Sequence, residues 1–215
     1  MIWKDLIHPA AGLFLWLLGK QHNLSSSSCF DLTASIEGLV SCLDTYTVPP
    51  DYYNPMTYDI AQPVGEQRSD WSTVVHSLLS VDGDCSSVDI PVSLQGLYDV
   101  KAFGAHCVLY ETTSQSDTYL KGWGYMIVPA HRSSVSRNVH LSAPHPGYDL
   151  GTVEQAAAIY EAVGANSLLV PGRMRTAFPE SSACIAPTSP SQEYYKTDPG
   201  YNNVLISIIT LFASY

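Results

Sequence analysis

The clearest alternation of apolar and polar positions lies between residues 139 and 170. Val139-His140-Leu141-Ser142-Ala143 alternates as a half-buried strand does. Thr152-Val153-Glu154-Gln155 then reads as a capping box, the Thr152 hydroxyl accepting from the Gln155 amide and the Gln155 side chain reaching back. Glu154 suits the first turn of a helix dipole. Val153, Ala156, Ala157, Tyr160 and Val163 form one apolar stripe at helical spacing. Gly164 is placed to end that helix as a left-handed cap. Ser167 to Val170 is a second apolar strand, closed by Pro171-Gly172. Strand, helix and strand with short connections predict a βαβ unit, with parallel strands and a right-handed crossover.

Upstream the pattern is shorter-ranged. Phe30 to Leu43 carries helical spacing, stopped by Val48-Pro49-Pro50. Asp51 to Arg68 is rich in Tyr, Pro, Asn and Asp and reads as an extended surface segment. Trp71 to Leu79 suits a short helix or strand, Asp82-Gly83-Asp84 a turn, and Ile90 to Tyr98 a strand or helix. His106 to Glu111 is a strand candidate. Across the polar turn Thr112 to Asp117 it faces the apolar Tyr119 to Val128, which suggests an antiparallel hairpin leading into the βαβ unit.

Composition narrows the setting. The chain has 215 residues, 46% of them hydrophobic, enough to bury a core, but only 14% charged. A net charge of −10 argues against a nucleic-acid partner, since nothing would neutralise phosphates. Fourteen tyrosines with many Ser and Thr make a hydroxyl-rich surface, which fits an extracellular setting. The five cysteines are Cys29, Cys42, Cys85, Cys107 and Cys184. They form no C-x-x-C pair, and Cys29 with Cys42 is a plausible local disulfide. Asn23-Leu24-Ser25 is a glycosylation acceptor pattern. The apolar run Leu6 to Leu18 suits a signal peptide or a first helix and is too short for a confident membrane span.

Chemistry concentrates at the ends of the paired strands. In parallel sheets ligands bind beyond the strands' carboxyl ends. His145-Pro146-Gly147-Tyr148-Asp149 follows the first strand, and Gly172-Arg173-Met174-Arg175 follows the second. A histidine and a carboxylate four residues apart are raw material for a metal site or an acid/base pair. Two guanidinium groups beside them suit a substrate bearing carboxylates or another oxyanion. The chain has no P-loop, no dinucleotide fingerprint and no G-x-S-x-G elbow, and the last absence counts against a common serine hydrolase.

The run His140 to Thr152, then Gly164-Ala165 and Pro171 to Arg175, resembles a family of secreted proteins with the pattern strand, P-H-P-x-x-D-x-x-T, helix, strand, G-x-H-R. In layout it is similar to the zinc-dependent poly-gamma-glutamate hydrolases and N-formylglutamate amidohydrolases, of the metallocarboxypeptidase-like group. The likeness spans roughly residues 105 to 203. It implies an α/β fold, a three-layer sandwich on a mixed, partly parallel sheet, in residues 101 to 215. Residues 1 to 100 would form a loop-rich N-terminal segment. It implies zinc on His145 and Asp149, a substrate carboxylate on Arg173 or Arg175, and a later T-D-x-x-x-N element matched by Asp198 and Asn202. Asp198 or Glu111 would be the general base. Met174 and Tyr201 stand where the pattern has histidine, and no histidine follows His145. A third zinc ligand would therefore come from His131, His106 or His140. The apolar tail Val204 to Tyr215 stops where the family pattern continues, which implies a truncated chain. The resemblance thus points to zinc-dependent hydrolysis of an amide bond near a carboxylate, with a non-catalytic secreted binding protein or inactive fragment as the alternative.

Overall fold

The protein is described by a computed structural model over residues 25–113, 117–182 and 194–198. The amino-terminal apolar run, Asn23, Cys184, Asn202 and the tail from Val204 lie outside these residues. The structure is an α/β three-layer sandwich. Its sheet has five strands, β1 (Tyr98–Phe103), β2 (His106–Glu111), β3 (Tyr125–Pro129), β4 (Arg137–Ser142) and β5 (Ala165–Val170), in the order β1-β2-β3-β5-β4. The β4/β5 pair is parallel and the other three pairs are antiparallel, so β2 runs in the same direction as β4 and β5.

Successive strand residues point to opposite faces, and here each face has its own core. Val108, Tyr110, Tyr125, Ile127, Leu168 and Val170 point to one side. They pack on α1 (Cys29–Leu32), α2 (Ile36–Asp44) and α5 (Thr152–Val163), the last through Val153, Ala157 and Tyr160. Cys107, Leu109, Met126, Val128 and Leu169 point the other way, onto Trp71, Val74, Val75 and Leu78 of α4 (Gln67–Leu79). The helices that precede the sheet in sequence therefore cover both of its faces. A disulfide joins Cys29 to Cys42, between α1 and α2. A second, not anticipated, joins Cys85 to Cys107 and ties the loop after α4 to β2. Among the described residues no helix is long and apolar enough to cross a membrane.

Several local expectations change. Asp51 to Arg68 is not extended throughout: it contains α3 (Pro55–Ala61) and the start of α4. Asn54 caps α3 by accepting from the Thr57 amide, and Thr57 reciprocates at the Asn54 amide. The Phe30 to Leu43 stretch breaks at Thr33 into α1 and α2, with Ser35 capping the second. At α5 the expected capping box does not form. Gly151, at φ +77°, is the cap residue, and the Thr152 hydroxyl donates instead to the Asp149 carbonyl at 2.7 Å. Gly164 ends the helix in the left-handed conformation, as its position predicts.

Candidate functional site

The crossover through α5 brings the loops after β4 and β5 to one edge of the sheet. The first closes as a five-residue turn: the Asp149 amide donates to the His145 carbonyl at 3.0 Å, and the Thr152 hydroxyl donates to the Asp149 carbonyl. Such a turn places residues four apart on one side, and His145 Nδ1 lies 2.8 Å from Asp149 Oδ2. The loops touch at Gly147, whose φ is +68° and whose missing side chain leaves room for the Met174 methyl.

The second loop is braced by an upstream segment. Val48 donates to Gly172 and accepts from Met174, and Asp51 and Tyr53 donate to Thr176 and Ala177. Onto it folds a distant piece, residues 194–198. Lys196 donates to the Glu180 carbonyl, and the Tyr58 hydroxyl donates to that of Lys196. The Thr197 hydroxyl donates to the Arg175 carbonyl at 2.8 Å and accepts from the Phe178 amide at 3.0 Å. Thr197 thereby fixes its neighbour Asp198, which is 7% exposed at the side chain.

The result is a row of four charged or polar side chains. Asp149 faces Nδ1 of His145. His145 Nε2 faces Asp198 Oδ1 at 3.4 Å, and Asp198 Oδ2 lies 3.2 Å from Arg175 Nη2. The Arg175 guanidinium also stands over the Tyr148 ring, 5.2 Å from its centre. Asp149 can therefore fix the imidazole tautomer, leaving Nε2 to act toward Asp198. A tetrahedral zinc bound at about 2.0–2.1 Å sets two N/O donors about 3.3–3.4 Å apart. His145 Nε2 and Asp198 Oδ1 stand at that spacing. The geometry thus suits these two as the donor pair, with Asp149 as the support behind the imidazole. Among the described residues no group of three His, Cys, Asp or Glu is arranged to hold a metal.

The remaining candidates sit elsewhere. His140 bonds Ser167 at 2.8 Å, His131 lies 3.8 Å from Asp82, and the His106 ring is near Tyr160, so none reaches His145 as a third donor. Glu111 is fully buried at the end of β2, where its two carboxylate oxygens accept from the Lys121 and Trp123 amides. Burial pushes its carboxyl up to about 7. That environment makes it a clamp on the 120–124 loop rather than a member of the His145 row. Arg173 and Arg175 diverge by alternation. The Arg173 guanidinium is 1% exposed, beside the phenol of Tyr53 and 5.8 Å from the centre of the Tyr58 ring. Its Nη1 and Nη2 have no well-formed hydrogen bond among the described residues. Tyr148, Thr197 and Gly147 escaped the sequence reading as parts of the site, although all three lie inside or beside the motifs that named its charged members.

No family model, curated protein or solved structure matches the chain.

Proposed function

We propose that the row Asp149–His145–Asp198–Arg175 is the centre of a secreted zinc-dependent hydrolase that cleaves an amide bond near a substrate carboxylate. The reading rests on one observation: an imidazole braced at Nδ1 by Asp149 faces a nearly buried carboxylate across a gap of zinc-donor width. His145 and Asp198 would hold the metal, which supplies a bound water of lowered pKa. A catalytic zinc takes three protein donors, of which His145 and Asp198 would supply two. Asp149 braces the ring at Nδ1, and Arg175 orients Asp198. Arg173 suits the substrate carboxylate best, because its two terminal nitrogens retain unmet donor capacity and a buried guanidinium gains most from an anion. The resemblance to the P-H-P-x-x-D family and its layout supports the same chemistry. The two disulfides support an oxidising compartment.

The test is zinc content after dialysis, together with turnover of N-acylglutamates and γ-glutamyl amides, in the native protein and in His145→Ala and Asp198→Asn. One retained zinc and turnover, with both lost in the folded variants, is the expected result. Zinc-free protein, or unchanged turnover in His145→Ala, overturns it. A second reading, binding without catalysis, is favoured by the closure of the row. With both ring nitrogens protonated, the four groups satisfy one another and need no metal.

A further inference from the structure

β4 ends the sheet order, and among the described residues no strand lies beyond it. The Ala143 amide donates inward to the Leu169 carbonyl. By the parity of a strand, the amide and carbonyl of Ser142 therefore point outward. A register shift between Arg137 and His140 interrupts the start of the strand, so the regular stretch is the half nearer the candidate site. No proline blocks the strand, and Val139 is 42% exposed.

Two hollows flank this edge, one on each face. On the α4 side, a hollow is lined by Leu79, Arg132, Val135, Asn138, His140 and Asn166. On the α5 side, a groove is lined by Leu141, Ala143, Pro144, Ala156 and Ile159, with Asp149, Thr152 and Gln155 in its polar wall. The second hollow therefore shares Asp149 with the candidate site. In a chain of net charge −10 with ten Lys and Arg in all, Arg132 lines the first hollow and Arg137 begins the strand. That places a cationic end on the edge strand of an acidic protein.

We infer that β4 docks an extended acidic peptide, which adds to the sheet as a further strand. Its alternate side chains fall on opposite faces. Carboxylates are received beside Arg132 and Arg137, and apolar side chains enter the groove beside Asp149. Backbone hydrogen bonds supply affinity and the two hollows supply selectivity, as in other strand-addition recognition. The inference rests on the hydrolase reading only for the fate of the peptide, which is carried along β4 toward His145.

The probe is a fluorescein-labelled hexapeptide alternating glutamate and leucine, followed by fluorescence anisotropy on the full chain with EDTA present to suppress turnover. A companion peptide carries N-methyl groups on alternate amides, which removes donors and keeps every side chain. Binding should fall by about tenfold or more with the N-methylated peptide, the worth of two or three backbone hydrogen bonds. Ser142→Pro removes an outward donor without touching the β5 ladder and should weaken binding likewise. Arg132→Ala with Arg137→Ala should weaken it and flatten its salt dependence. Equal affinity for the two peptides, or no saturable binding, overturns the inference, and this arm holds even if Ser142→Pro misfolds. Turnover of N-acylglutamate is measured separately. Turnover without strand-like docking sinks only the docking; docking without turnover of either substrate sinks only the hydrolase.

Discussion

Replacing Glu111 with glutamine should remove a specific part of the protein's pH dependence. The Glu111 side chain is fully buried, and backbone amides of the 120–124 loop surround it. Burial outweighs those donors and raises its carboxyl from 4.5 to about 7. Between these values the folded protein keeps a proton that the unfolded chain has released. Stability from this group is therefore greatest below pH 4.5, falls as pH rises to about 7, and is flat beyond. A gap of about 2.5 pH units corresponds to about 3 kcal/mol, a large share of the 5–15 kcal/mol typical of a folded domain, in round terms.

Glutamine cannot ionise, so it lacks that slope. It also offers one acceptor where Glu111 offers two, which sets its amide against one of the loop donors and costs about 1–3 kcal/mol at every pH. Glu111→Gln should be the less stable protein at pH 5 and should close the difference, or reverse it, by pH 8. Urea unfolding at five pH values between 4.5 and 8.5, read as the difference between the two proteins, measures this. Other groups are shifted as well. Asp44 and Glu161 are raised by burial and act in the same direction, whereas His106 and His140 are lowered by burial and act in the opposite one. All four are common to both proteins and cancel in the difference. Parallel stability curves would refute the reasoning.

Three further outcomes follow from the same geometry. Gly124→Ala should cost at least ~3 kcal/mol by thermal melt, because its φ is +103° and a Cβ there would overlap the Val170 carbonyl and Pro171. Replacing Cys85 and Cys107 with serine should cost about 3 kcal/mol through a 22-residue separation, read by urea melts under non-reducing conditions against the oxidised native protein. Thr197→Val should orphan the Phe178 amide and cost about 1–3 kcal/mol, and it should weaken zinc retention, since Asp198 loses its neighbouring anchor.

The parts of the fold that were legible are those whose apolar residues are decided by a core. β2, β5 and α5 fall close to where alternation and helical spacing place them, since each buries a face, and β4 follows its alternation with Leu141 packed against the core. The missed elements lack that imprint. α3 buries little, with Met56 73% and Ile60 60% exposed, and its tyrosine- and proline-rich sequence looks like loop. Its Asn54-Pro55-x-Thr57 capping signal was present all the same. β1 is an edge strand of mixed pattern, joined to β2 by a two-residue turn whose Gly104 adopts φ +55°. The capping box at Thr152 failed because the preceding glycine took the left-handed conformation and turned the hydroxyl back toward Asp149.

The site shows the same division between residue type and residue role. Motif spacing placed an imidazole and a carboxylate on one turn, but spacing is silent on which ring nitrogen meets which acid. That depends on residues 194–198, which reach His145 from 53 positions away through Thr197 and the loop it grips. Once Asp198 arrives at Nε2, Asp149 is left with Nδ1, and the geometry favours an orienting role for the nearer acid and a donor role for the farther one. The two roles separate by experiment. If Asp149 only orients the ring, Asp149→Asn keeps a hydrogen-bonding partner at Nδ1 and should weaken zinc retention by about 10–100-fold, as loss of an outer partner does. If Asp149 is itself a donor, that substitution should abolish retention as completely as Asp198→Asn.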